Sequence, residues 1–103
     1  MKIGNREISK QSQCFIIAEL SANHGKDINI AIETIKAAKR AGADAIKLQT
    51  YTADTITLDC KTDDFLINKG TAWDGVYLYD LYKEAYLPWD WHKQLFETAK
   101  EEG

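Results

Sequence analysis

The sequence has 103 residues, enough for one small domain. Its 45% hydrophobic and 28% charged residues are the balance of a globular chain rather than a disordered one. A formal net charge of −3 argues against nucleic acid or an anionic membrane as a partner, and no apolar run approaches the ~18 residues of a membrane span. The two cysteines, Cys14 and Cys60, have no motif spacing and read as incidental free thiols. The N-terminus opens directly on folded-looking sequence with no signal-peptide pattern, so a cytoplasmic location is expected.

Residues 1–9 predict a small hairpin, with Lys2-Ile3 and Glu7-Ile8 flanking a Gly4-Asn5 turn. A polar connection follows. Residues 14–20 are then nearly continuous apolar sequence, the pattern of a strand covered on both faces in a parallel sheet. Glu19, near its C-terminal end, is the exception. After a polar loop, Asp27 suits a helix N-cap. Ile28, Ala31, Ile32, Ile35 and Ala38 recur at helical spacing and predict a helix over 28–41, stopped by Gly42. Residues 44–50 are a second strand. Strand, helix and strand in this order form a β-α-β unit with parallel strands.

Residues 51–76 are rich in Thr, Asp, Asn and Gly and predict a long loop. Leu78, Leu81, Tyr82 and Ala85 suggest a short helix over 77–86. Pro88 suits the first position of a further helix over 88–102. Trp91, Leu95, Thr98 and Ala99 give its packing face, with His92 and Phe96 beside them. The next element in this alternation is a third strand. Two parallel strands alone leave both sheet edges open, and a closed β/α barrel takes roughly 250 residues. The expected fold class is therefore α/β: the N-terminal portion of a (β/α)8 TIM barrel preceded by a short hairpin. Such a piece is expected to associate as a homo-oligomer or aggregate.

In β/α barrels the reactive groups gather at the C-terminal ends of strands. Glu19 ends the first strand here, and Lys47 and Gln49 end the second. Strand side chains alternate, so Lys47 and Gln49 share one face while Ile46 and Leu48 take the other. If Phe15, Ile17 and Glu19 point inward with Ala45, Lys47 and Gln49, a carboxylate, an ammonium and an amide converge. Two readings stay open: a structural ion pair between Glu19 and Lys47, or a site. Lys suits an anionic phosphate or carboxylate, and Glu and Gln suit sugar hydroxyl and amide groups. The loop Asn23-His24-Gly25 follows the first strand, which puts His24 on the substrate side. His92 is assigned to packing on the outer helix. Two distant His and two distant Cys match no zinc spacing, and there is no Gly-rich phosphate loop and no serine elbow. Trp73, Tyr77, Tyr79, Tyr82, Tyr86, Trp89 and Trp91 form an aromatic cluster. It reads either as a sugar platform or, preferably, as the loop's own small core.

The stretches Phe15-Ile16-Ile17-Ala18-Glu19-Leu20-Ser21-Ala22-Asn23-His24 and Ala41-Gly42-Ala43-Asp44-Ala45-Ile46-Lys47-Leu48-Gln49-Thr50-Tyr51 resemble the start of the sialic acid synthase family. Leu20-Ser21-Ala22, Leu78-Tyr79-Asp80-Leu81-Tyr82 and Pro88-Trp89-Asp90-Trp91-His92 are similar to its pseudaminic acid branch. Leu87 departs from the pattern, where a Thr would cap the helix. The resemblance implies a carbon–carbon bond-forming transferase of carbohydrate biosynthesis, condensing phosphoenolpyruvate with a 6-deoxy diacetamido hexose. By resemblance, Glu19 and Lys47 are catalytic. Lys47 binds phosphoenolpyruvate, Gln49 assists at the sugar or metal side, and Asn23, His24, Thr50 and Tyr51 complete the substrate contacts. A divalent metal, Mn or Mg, is implied as cofactor, with ligands from later strands and none from this chain, so the 103 residues alone are expected to be inactive. The alternatives are an N-acetylneuraminate or legionaminate synthase, and a non-catalytic remnant acting as an interaction protein.

Overall fold

A computed structural model describes residues Met1–Gly103. Strands β1 (Lys2–Ile3) and β2 (Arg6–Glu7) pair antiparallel, Lys2 opposite Glu7 and Ile3 opposite Arg6. The turn between them needs Gly4, whose φ of 57° is a left-handed conformation that costs glycine little. Arg6 then fastens the hairpin to the rest of the chain. Its guanidinium pairs with the Asp44 carboxylate and lies 5.4 Å from the Phe15 ring centroid. Asp44 also accepts from the Ile16 N–H at 2.9 Å. That backbone bond, and then Arg6, hold the Asp44 carboxyl below the usual carboxylate range.

Strands β3 (Ile17–Glu19) and β4 (Ala45–Lys47) run parallel, with Ile17 opposite Ala45, Ala18 opposite Ile46 and Glu19 opposite Lys47. Both are shorter than the predicted 14–20 and 44–50. Each strand has a single neighbour, so the ladder covers only the stretch where the two run side by side. It fades through bonds from Asp44 and Ala45 N–H to the Ile16 carbonyl, and ends with Leu20 N–H on the Lys47 carbonyl at 3.0 Å.

Helix α1 (Ile28–Arg40) connects the strands. Asp27 caps it by accepting from the Asn29 N–H at 2.8 Å, which satisfies a donor the first turn leaves free. Gly42, at φ 92°, turns the chain out of the helix. Ala31 and Ile35 of α1 are buried with Leu20, Leu87 and Leu95, and Ile28, Ile32, Ile46, Leu48, Trp91 and Ala99 pack around them. The core therefore lies on one face of the sheet. The expectation of a strand covered on both faces is corrected: Ile17, on the side away from the core, is 55% exposed, because both helices that pack on the strands use the opposite side.

The predicted loop over 51–76 is partly structured. It holds helix α2 (Ala53–Ile56), where the Thr55 hydroxyl accepts from the Thr52 N–H at 2.9 Å, a 3-10 turn at Asp63–Phe65 and a bridge between Leu66 and Tyr77. Helix α3 (Leu78–Ala85) packs on α2, and the Tyr79 hydroxyl donates to Asp54 at 2.8 Å. Lys61 pairs with Asp80. After Pro88 comes a 3-10 turn, Trp89–Trp91, and helix α4 (His92–Glu102) follows it and packs on α1.

Three further expectations change. Leu87, read as a missing helix cap, is a core residue at 1% exposure. Phe96, read as part of the packing face of α4, is 66% exposed, because Leu95 takes the inward position one step away. The aromatic cluster does not make a core of its own. Trp73 and Trp89 are more than half exposed and none of the seven rings is fully buried. Lysines lie over several of them, Lys26 at 3.3 Å from the Tyr86 centroid and Lys61 at 4.8 Å from that of Tyr77. No helix is long and apolar enough to cross a membrane, and Cys14 and Cys60 are unbridged.

Candidate active site

The parallel register sets Glu19 directly opposite Lys47 on the open face of the sheet. Lys47 Nζ lies 3.2 Å from Glu19 Oε2, and Gln49 Nε2 donates to Glu19 Oε1 at 2.6 Å. Ser21 Oγ reaches the same oxygen at 3.5 Å. The structure thus brings together the three side chains that alternation placed on one face. The Glu19 and Lys47 side chains remain 40% and 57% exposed. An ion pair so open contributes about 0–1 kcal/mol. A ligand that offers the ammonium a phosphate, or the carboxylate a hydroxyl, can therefore displace it at little cost.

The other predicted contacts do not join this group. Asn23 is exposed and donates through Nδ2 to the Leu20 carbonyl at 3.2 Å, closing the loop after β3. Ser21 and Lys26 hold that loop at φ 53° and 60°, conformations uncommon for residues with a Cβ. His24 is 1% exposed, its ring edge-on to Trp91 with centroids 5.5 Å apart. Its Nδ1 accepts from the Lys26 N–H at 3.1 Å, so the neutral ring carries its proton on Nε2, which has no partner in this chain. Burial, and then the Lys26 charge, push the imidazole pKa down and keep it neutral.

Thr50 turns the opposite way from Gln49, onto α4. Its Oγ1 lies 2.6 Å from His92 Nε2, and His92 Nδ1 lies 3.1 Å from the Trp89 carbonyl. A carbonyl only accepts, so Nδ1 donates and Nε2 accepts the Thr50 hydroxyl proton. Tyr51 packs its ring edge against Tyr82 and accepts at its backbone carbonyl from the Trp89 indole at 3.4 Å. Burial and then Tyr82 raise its phenol pKa. His92, read from sequence as a packing residue, is thus tied by hydrogen bonds to the end of the second strand. The helical spacing of α4 gave no sign of a bond to a residue 42 positions away.

A cleft of about 770 Å³ lies between the loop 21–26 and the residues Trp73, Lys83 and Glu84; Ser21, which reaches Glu19, is on its wall, but Glu19, Lys47 and Gln49 do not line it. Its size is that of small-molecule pockets. No three His, Cys, Asp or Glu side chains come together in a way that could hold a metal ion. The ring nitrogens of His92 are engaged and His24 is buried, so the residues present do not fit a divalent metal.

The family model of the NeuB family matches residues 34–103. The chain belongs to the NeuB family. This family is the sialic acid synthase family that the two strand motifs resemble. Over all 103 residues the chain is 55% identical to a pseudaminic acid synthase of Campylobacter jejuni, of which it covers 29%. It is 53% identical over 85 residues to the pseudaminic acid synthase of Helicobacter pylori, covering 82% of this chain and 25% of that one. It is 38% identical over 90 residues to an N,N'-diacetyllegionaminic acid synthase of Legionella pneumophila, covering 87% of this chain and 25% of that one. This NeuB-family chain therefore spans less than a third of the length of the curated relatives it matches.

Proposed function

We propose that the protein carrying this chain condenses phosphoenolpyruvate with a 6-deoxy diacetamido hexose to give pseudaminic acid, and that this chain is the first part of its (β/α)8 barrel. The identity of 55% along the whole chain to a pseudaminic acid synthase carries this reading, against 38% to a legionaminic acid synthase. The Glu19, Lys47 and Gln49 group supplies the chemistry at the mouth of such a barrel.

In the reaction, the double-bond electron pair of phosphoenolpyruvate forms a bond from its C3 to the sugar's aldehyde carbon. The aldehyde oxygen takes up a proton. Water adds its oxygen at C2 of the former enol, the C2–O bond to phosphate breaks to leave a C2 ketone, and of the two water protons one balances that taken by the aldehyde oxygen and the other leaves with the inorganic phosphate. Lys47 takes an anionic group of phosphoenolpyruvate, replacing its weak bond to Glu19 with a charge-assisted one. Glu19, so released, accepts from a hydroxyl of the sugar and orients its reacting end. Gln49 uses its amide beside it. The divalent metal that the resemblance implies, Mn or Mg, finds no ligand set among these residues. A homo-oligomer in the cytoplasm is part of the same reading.

The test is a product assay on the full-length protein with phosphoenolpyruvate, manganese and one sugar at a time. The diacetamido hexose that leads to pseudaminic acid is expected to give stoichiometric phosphate release and a nine-carbon product. Preferential turnover of N-acetylmannosamine, or of the sugar precursor of legionaminic acid, would overturn the choice of sugar. Phosphate release with none of the three would overturn the enzyme reading.

A further inference from the structure

Gln49 occupies an unusual place on its strand. The last ladder bond of the sheet is from the Leu20 N–H to the Lys47 carbonyl, and no backbone hydrogen bond within this chain holds residues 48–51 beyond it. Lys47 is thus fixed by the sheet, whereas Gln49 lies between Leu48, which packs on the core, and the attachments of Thr50 and Tyr51. The hydrogen bonds of both lead to the same place, the 3-10 turn Trp89–Trp91 and the residue after it, while the Tyr51 ring packs on Tyr82. Thr50 gives its hydroxyl proton to His92 Nε2, and the Tyr51 carbonyl accepts from the Trp89 indole. His92 is itself held by its Nδ1–H on the Trp89 carbonyl, which fixes the tautomer and leaves Nε2 free to accept.

We propose that His92, acting through Thr50, is a positioning residue that holds Gln49 within reach of Glu19 and so sets how the sugar is bound. The inference rests on the proposed condensation. The chain of contacts runs from the Trp89 carbonyl through His92 and Thr50 to the neighbouring Gln49, whose amide meets Glu19 at 2.6 Å. Lys47 lies upstream of this device and is held by the β3–β4 ladder. Loosening the device is therefore expected to affect the sugar side of the site and to spare phosphoenolpyruvate. A residue that merely stabilised the fold would affect both substrates alike.

The experiment uses the full-length protein with Thr50→Val, Thr50→Ser, His92→Asn and the double variant Thr50→Val/His92→Asn. Valine keeps the shape of threonine and cannot donate. Losing one neutral hydrogen bond supports an effect of up to about tenfold. Thr50→Val is expected to raise the KM for the sugar about tenfold while the KM for phosphoenolpyruvate stays within about twofold. Thr50→Ser is expected to restore the wild-type value. His92→Asn keeps the donation to Trp89 but falls short of Thr50, and is expected to match Thr50→Val. The double variant should be no worse than either single one, because both break the same link. An unchanged sugar KM, an equal rise in both KM values, or additive losses would overturn the proposal. A wild-type protein without condensing activity would overturn the functional reading instead. In that case the side-chain amide resonance of Gln49, followed in ¹⁵N-glutamine-labelled protein, decides alone. Movement with Thr50→Val and not with Thr50→Ser supports the device, and no movement overturns it.

Discussion

The two faces of the β3–β4 pair are made from alternate residues of the same short strands, yet they differ in every physical respect. One face presents Leu20, Ile46 and Leu48 to α1 and α4 and belongs to the core. The other presents Ile17, Glu19, Lys47 and Gln49 to the open side, where polar atoms satisfy one another at the surface. The difference shows how a parallel β/α unit divides its labour. Burial of apolar surface on the helix side contributes the stability, at about 25 cal/mol per Å². The opposite face is then free to carry groups whose pairing is worth little to folding and much to a ligand.

The largest effect expected from this division is on the covered face. Leu95 is fully buried between α1 and the sheet. Leu95→Ala should destabilise the protein by about 2–5 kcal/mol in urea unfolding, through lost transfer energy and the cavity left behind. A loss below about 1 kcal/mol would place the core elsewhere.

On the open face, Lys47→Met keeps most of the volume and removes the charge. Losing a charge-assisted contact of about 1.5–3 kcal/mol should weaken apparent affinity for phosphoenolpyruvate by about ten- to a hundredfold in the full-length protein. Unchanged kinetic constants would make Lys47 only a structural partner of Glu19.

A third expectation concerns pH. The folded-state pKa of His24 is lowered, so the unfolded chain binds its proton more readily. Stability from this group is complete above the unfolded value of about 6.5 and declines as pH falls from there toward the folded value. Thermal melts at pH 7.5 and 5.5 should show this loss, and His24→Phe should reduce it. An equal loss in the variant would assign it to other groups. The smallest effect is expected at Ile17, which is more than half exposed. Ile17→Thr in the 103-residue chain should change stability by no more than about 0.5 kcal/mol, and a larger loss would mean that another copy covers the open face there.

Much of this arrangement can be read from local pattern. The apolar spacing of Ile28, Ala31, Ile32 and Ile35 defines α1, and Asp27 marks its start because a short acceptor side chain is what the first turn lacks. Two-residue alternation suffices to put Lys47 and Gln49 on one face, and the parallel register brings Glu19 to them. What pattern does not carry is contact across sequence distance. The bond between Thr50 and His92, the burial of His24 against Trp91 and the place of Leu87 in the core all depend on where separate elements meet. The four residues of α2 are too few to show helical periodicity, so they were hidden among polar residues. Phe96 misleads for a related reason, since an aromatic next to a true core leucine looks apolar by composition and is turned outward by the helix.

The division between the two faces is tested most directly at Glu19, by measuring turnover and thermal midpoint together for Glu19→Gln in the full-length protein. The substitution keeps the size of the side chain and removes the charge that meets Lys47 and Gln49. Turnover should fall at least about a hundredfold, as expected when a group that orients the reacting atoms is lost. The melting temperature should stay within about 2 °C, since an exposed pair contributes at most about 1 kcal/mol. Unchanged turnover, or a collapse of the melting temperature, would contradict the assignment of the open face to function and the covered face to folding.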